Sequence, residues 1–194
     1  MFSEPLFVVA RVAAALDRLS IPYAVGGSLA SSIHGIPRAT QDADLVAALQ
    51  PFHVQPLAAA LSSEFYVDAD SIANAVRRRT SFNILFLSTM FKVDIFVSDG
   101  GPWARQELKR AVSRRFTVAK DEVTVRFASP EDTVLHKLVW YKLGDQVSER
   151  QWTDILGVLR IQAGGLDEAY LNQWAEHLGV SDLLARARRE GDRV

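Results

Sequence analysis

Apolar residues recur along this chain at two spacings, and the switches between them mark out its elements. Val8, Val12, Leu16 and Leu19 fall at helical spacing over residues 5–19, with Arg11 and Arg18 on another side and Ser3 or Glu4 ahead as a start signal. The spacing predicts an amphipathic first helix, ended by Ile21-Pro22. Tyr23-Ala24-Val25 reads as a short strand running into Gly26-Gly27, and a second helix is expected from Ser28, as a capping serine, to His34, closed by Gly35. Residues 42–49 read as a strand with acids at its beginning, stopped by Gln50-Pro51. Helices are expected at 55–62, 71–79 and 103–112, and small strands at 65–67, 116–118 and 123–127. Ser81 to Leu87 and Phe91 to Val97, joined by Ser88-Thr89-Met90, have the spacing and β-propensity of a hairpin.

From Ser129 the character changes. Ser129-Pro130-Glu131-Asp132 combines a capping serine, a proline at the first helical position and an acid three residues after the cap. Ser148 to Gln151 has the same character, and Trp152, Ile155, Leu156 and Leu159 follow as an apolar stripe. Two more helices are expected near 167–178 and 181–190. The pattern predicts an α+β chain: a mixed sheet flanked by helices over residues 1–128, then a helical region, 129–194, packed on it.

At 194 residues, with 48% hydrophobic and 23% charged residues, the chain can bury a real core and is unlike a disordered segment. There is no cysteine, which excludes disulfides, thiolate nucleophiles and zinc–sulfur centres and leaves carboxylates as the natural metal ligands. With neither a signal-peptide pattern nor an apolar run of membrane-spanning length, a cytoplasmic protein without membrane partners is expected. The net charge of −1 is uneven: residues 77–115 hold nine Lys or Arg against three acids. That basic middle, with Arg77-Arg78-Arg79 at its head, either greets a polyanion or solubilises helices.

The chemistry concentrates between Tyr23 and Val46. On a strand, Asp42 and Asp44 point to one side while Ala43, Leu45 and Ala47 point to the other. Phe91, Val93, Ile95 and Val97 form the apolar row of a later strand, which places Asp94 on the opposite side with Lys92 and Phe96. If the two strands pair, three carboxylates share one exposed face. Such a cluster is unfavourable as bare charge and favourable around divalent cations, of which magnesium accepts oxygen ligands and substrate phosphates. Gly26 and Gly27 let backbone approach a phosphate, Ser28 adds a hydroxyl at a helix start, and Arg38 can reach the same phosphates. Lys137 lies off the stripe of Val134, Leu135, Leu138 and Val139, and Asp154 lies opposite its helix's stripe, so each faces either a cleft or water. His34 and His136 lack metal-ligand spacing and read as structural.

Gly27-Ser28, Asp42-x-Asp44 and the apolar-flanked Asp94 resemble the signature of the DNA polymerase β-like nucleotidyltransferase superfamily, especially its small prokaryotic members. The later Pro130-Glu131-Asp132, His136-Lys137-Leu138 and Asp154-Ile155 are similar to abortive-infection toxin-type nucleotidyltransferases. The resemblance implies a nucleotidyltransferase-like catalytic domain over 1–128, in which Asp42 and Asp44 bind two Mg2+ ions, Asp94 completes the site and Gly26, Gly27 and Ser28 hold a nucleoside triphosphate. It also implies that Lys137 and Asp154 belong to the site. Gln41 and Ala43 depart from the residues many relatives carry there, which puts the phosphate contacts in doubt. The expected reaction moves a nucleoside monophosphate to an acceptor hydroxyl on a tRNA, a small molecule or a protein, within or outside a toxin–antitoxin pair. The competing class is a non-catalytic nucleotide-binding regulator, or a protein with a cognate antitoxin as partner, that keeps the fold.

Overall fold

The computed structural model describes residues 3–118 and 121–191. It divides into two compact units, one made of Met1–Gly26 and Ala39–Phe127, the other of Gly27–Arg38 and Ala128–Val194.

The first unit is built on a sheet. Its elements are α1 (Ser3–Arg18), β1 (Tyr23–Val25), β2 (Asp42–Ala47), a 3-10 turn (Pro51–His53), α3 (Val54–Leu61), β3 (Phe65–Tyr66), α4 (Ala69–Arg78), β4 (Ser81–Phe86), β5 (Phe91–Val97), α5 (Pro102–Arg110), β6 (Val112–Val118) and β7 (Asp121–Phe127). Among the described residues the sheet has seven strands in the order β3-β4-β5-β2-β1-β7-β6. β2 and β5 run parallel at its centre, with β4 and β1 antiparallel on their outer sides. Alternation along β2 and β5 buries Ala43, Leu45, Ala47, Val93, Ile95 and Val97, and α1 supplies Val8, Val12 and Leu16 to the same core. Expelling these side chains from water is the main stabilising term of this unit.

Two elements differ from the local reading. The helix expected over 103–112 ends at Arg110, and residues from Val112 instead form β6, which pairs with β7 at seven positions from Val112↔Phe127 to Val118↔Asp121. Seven cross-strand partners outweigh a weak local preference, and the small strands at 116–118 and 123–127 become one long hairpin. Helix α4 begins at Ala69 rather than 71, because the Asp68 carboxylate accepts from the N–H groups of Asp70 and Ser71 and fixes the start there. The hairpin of β4 and β5 has the expected turn.

The second unit is helical: α2 (Gly27–His34), α6 (Pro130–Leu143), α7 (Glu149–Ile161), α8 (Glu168–His177) and α9 (Ser181–Gly191). Helix α2 starts at Gly27, whose φ of 55° favours glycine, so Ser28 lies inside the first turn rather than at the cap. Ser129 and Ser148 do cap their helices, accepting from the N–H groups of Asp132 and Gln151. Helix α6 buries Glu131, Asp132 and Lys137 along with its apolar residues, which is tolerable because each acid has a donor. Asp132 accepts from Tyr170 Oη at 2.7 Å and Ser129 Oγ at 2.8 Å, and Glu131 accepts from the Asp167 N–H at 2.9 Å. Among the described residues no helix is long and apolar enough to cross a membrane.

Candidate active site

In the first unit the parallel register of β2 and β5 sets Asp44 opposite Asp94 and Asp42 opposite Lys92. Facing positions of paired strands project to the same side, so these four side chains form a two-by-two patch on the half-exposed face. Antiparallel β4 extends the patch by placing exposed Asn83 opposite Asp94 and half-buried Leu85 opposite Lys92. On the other side, the Gly26 N–H donates to the Asp44 carbonyl at 2.8 Å. A lateral row therefore runs from Asn83 through Asp94 and Asp44 to Gly26. The alternation that placed Lys92 and Phe96 beside Asp94 in the sequence holds in the fold.

The carboxylates already have partners of their own. Lys92 Nζ pairs with Asp94 Oδ2 at 2.6 Å, and Thr40 Oγ1 donates to Asp42 Oδ1 at 3.1 Å. The bond to Asp94, opposed by burial and helped by the charges of Asp94, Asp42 and Asp44, lifts the Lys92 ammonium above its ordinary pKa. Among the described residues no three His, Cys, Asp or Glu side chains are grouped as ligands of one ion. The donor chemistry nevertheless suits Mg2+: the face offers hard carboxylate oxygens on adjacent, in-register strands.

In the second unit, Arg38, Lys137 and Asp154 form a buried cluster. Arg38 donates from Nε to Asp154 Oδ1 and from Nη2 to Oδ2, both at 2.9 Å, and Lys137 Nζ donates to Oδ2 at 2.7 Å. Ser31 Oγ adds a bond to Asp154 Oδ2 at 3.2 Å, while Arg38 Nη2 also donates to Ser28 Oγ. Burial alone raises the Asp154 pKa, but the bonds and charges of Arg38 and Lys137 override it and hold the carboxyl below its ordinary value. Ser28, Arg38, Lys137 and Asp154 are thus brought together in this unit, and Gly27 opens the helix that carries Ser28. Lys137 and Asp154 do not face open water; both are buried and paired with each other.

His34 is structural, as its spacing implied: its buried ring donates from Nε2 to the Ala128 carbonyl at 2.8 Å. Within the basic middle, Arg79 donates to the carbonyls of Ser98 at 3.1 Å and Leu49 at 3.4 Å, tying down the chain after β5 and β2. Asn83, Thr40 and Ser31 were not read as site residues. Asn83 alone had a usable signal, an odd number of residues from the strand's buried positions and across a hairpin from Asp94.

No protein-family model matches this chain, and no curated protein matches it. Solved structures do. The chain is similar to an antigenic nucleotidyltransferase-like protein from Paracoccidioides brasiliensis, at 20% identity and a TM-score of 0.54, over 93% of this chain and 90% of that one. It is also similar to the antibiotic-resistance factor ANT(2'')-Ia in solution, at 16% identity and a TM-score of 0.50, over 100% of this chain and 97% of that one. The crystal structure of ANT(2'')-Ia in complex with adenylyl-2''-tobramycin matches at 15% identity and a TM-score of 0.52, over 96% and 99%. The fold is therefore the one these nucleotidyltransferase structures share, α+β as the sequence indicated.

Proposed function

We propose that this protein is a magnesium-dependent nucleotidyltransferase that moves a nucleoside monophosphate from a nucleoside triphosphate to a hydroxyl of a small molecule. The observation that carries the reading is the in-register pair Asp44 and Asp94, with Asp42 beside it, on the half-exposed face of a parallel strand pair in this fold. Two Mg2+ ions held by Asp42, Asp44 and Asp94 would supply charge neutralisation of the phosphates and activation of the acceptor oxygen. Asp94 takes the proton of the acceptor hydroxyl. The acceptor oxygen then bonds to the α-phosphorus, the bond from that phosphorus to the bridging oxygen breaks, and pyrophosphate leaves. Gly26 and Gly27 offer backbone to the triphosphate, Ser28 and Arg38 contact its oxygens, and Lys137 and Asp154 hold Arg38 in place for that contact. Positioning supplies most of the acceleration in such a transfer. A cytoplasm provides both the triphosphate and the metal.

The small-molecule acceptor is favoured by the adenylylated aminoglycoside bound to a protein of the same fold. Incubation with labelled nucleoside triphosphates, Mg2+ and, separately, hydroxylated small molecules, total RNA and protein extract tests the reading. Label is expected in the small-molecule arm, and label in RNA or protein would replace that acceptor class. Asp44→Asn is expected to reduce transfer by about a thousandfold or more while shifting the melting temperature by no more than about 2 °C. Retained transfer in a natively melting Asp44→Asn protein removes the assigned role, and tight nucleotide binding without transfer in any arm makes the protein a regulator.

A further inference from the structure

We infer that Lys92 is a resident cation of the carboxylate face, holding Asp94 until a divalent metal ion displaces it, and thereby weakening the face's affinity for metal in the absence of nucleotide. The inference rests on Asp42, Asp44 and Asp94 being metal ligands, as proposed above.

The geometry is specific to Lys92. Two residues before Asp94 on the same strand, it projects from the same face, and its register partner on β2 is Asp42. Its ammonium turns back along the strand to Asp94 at 2.6 Å rather than out to water, although the side chain is 42% exposed and free to do so. On its other flank the facing residue is Leu85, which offers no charge. The acids that flank it are thus Asp94, to which it is bonded, and Asp42 and Asp44 on the paired strand, all three assigned to metal. An ammonium and a divalent ion compete for the negative charge of the same carboxylate, and while Lys92 holds Oδ2 of Asp94 that oxygen is not open to an ion. A half-exposed pair of this kind is weak enough to exchange, and a lysine on its flexible four-carbon stem can swing away without disturbing the strand.

The test is Mn2+ binding, read by the electron paramagnetic resonance signal of free Mn2+ and by calorimetry, with neither nucleotide nor acceptor present. Removing the positive charge bonded to Asp94 in a half-exposed setting is expected to tighten binding by about three- to tenfold in Lys92→Met. Lys92→Arg keeps the charge and is expected to stay within about twofold of the unmodified protein. The gap between Met and the unmodified protein should narrow as salt is raised from about 50 to about 300 mM, as screening requires. Melting curves establish that each variant is folded, and Asp44→Asn serves as the variant that loses binding. Equal or weaker binding in a folded Lys92→Met protein overturns the inference while leaving the metal-site reading intact. Absence of Mn2+ binding in the unmodified protein and both Lys92 variants overturns the two together.

Discussion

Replacing Asp154 with Asn should destabilise the helical unit far more than removing the lysine that pairs with it. Asp154 is 7% exposed and accepts four bonds: two from Arg38, one from Lys137 and one from Ser31. Lys137, also buried, has Asp154 as its bonding partner. An amide at 154 leaves that ammonium uncompensated in a dry environment, a loss of about 3–5 kcal/mol. Arg38 is better placed to adapt, since it keeps Ser28 and is a quarter exposed. The reciprocal change, Lys137→Met, leaves Asp154 with the two Arg38 bonds and Ser31, and should cost only about 1–2 kcal/mol.

A protein of this size loses roughly 2–4 °C of melting temperature per kcal/mol, so Asp154→Asn should melt about 6–20 °C lower and Lys137→Met about 2–8 °C lower. Because a buried pair exchanged for apolar groups of similar size is often neutral, Asp154→Leu with Lys137→Met should melt above Asp154→Asn alone. Thermal denaturation reads the ranking, and hydrogen exchange in α2, α6 and α7 locates it. The acid limb adds a second reading. The folded Asp154 pKa lies below its ordinary 3.8, so its contribution is present above that value and disappears as pH falls below it. Asp154→Asn should lack this part of the acid loss. If Asp154→Asn proves no more costly than Lys137→Met, or the double variant melts lowest of the three, the charge-burial argument is wrong.

Three other substitutions test local features, two glycines in the helical unit and one tyrosine in the sheet unit. A Cβ at Gly35 would lie 2.8 Å from the Val158 nitrogen, 2.9 Å from the Gly157 carbonyl carbon and 3.0 Å from the Ser31 oxygen, all backbone atoms that cannot swing aside. Gly35→Ala should therefore cost about 1–3 kcal/mol by thermal melting, whereas Gly191→Ala, with nothing within 4 Å, should be neutral or slightly stabilising. In the first unit, burial and then the Asp17 carboxylate push the Tyr23 phenol up to about 12. A raised pKa gives stability that is present below about pH 10 and lost as pH rises from 10 to 12, so the native protein should lose up to about 2–3 kcal/mol there that Tyr23→Phe does not. Parallel alkaline melting curves for the two proteins would contradict this.

What could be read locally was read from periods and caps. Alternation placed Asp42, Asp44, Lys92, Asp94 and Phe96 on the right faces because a strand's side-chain direction depends only on counting by two. Ser129 and Ser148 announced their helices because a cap is a contact within four residues. Pairing of β2 with β5 was a conditional in the sequence, since nothing in either segment names its neighbour some fifty residues away. For the same reason only the second half of β6, residues 116–118, was legible: the pairing with β7 that extends it back to Val112 is not a local signal, and residues 103–112 alone read as helix to their end. The Arg38, Lys137 and Asp154 cluster was half legible. A helical wheel shows that Lys137 and Asp154 avoid the apolar stripes, but solvent and a buried ion pair look alike from that position.

The charge balance of each polar cluster decides which class of ligand suits it. On the sheet face, three carboxylates against one ammonium leave two negative charges in excess, and the neighbours Asn83 and Leu85 do not neutralise them. In the helical unit, Arg38 and Lys137 against Asp154 leave one positive charge in excess, part of it on a guanidinium that remains a quarter exposed and already donates to a hydroxyl. The first arrangement gains from a cation and is indifferent to an anion; the second gains from an anion with several acceptor oxygens. Simple salt satisfies either one weakly. A divalent metal ion answers the first excess, and a polyphosphate the second. Lys92→Met, which deepens the negative excess of the face, should therefore raise metal affinity, and Arg38→Ala, which cancels the positive excess of the helical cluster, should lower nucleotide affinity.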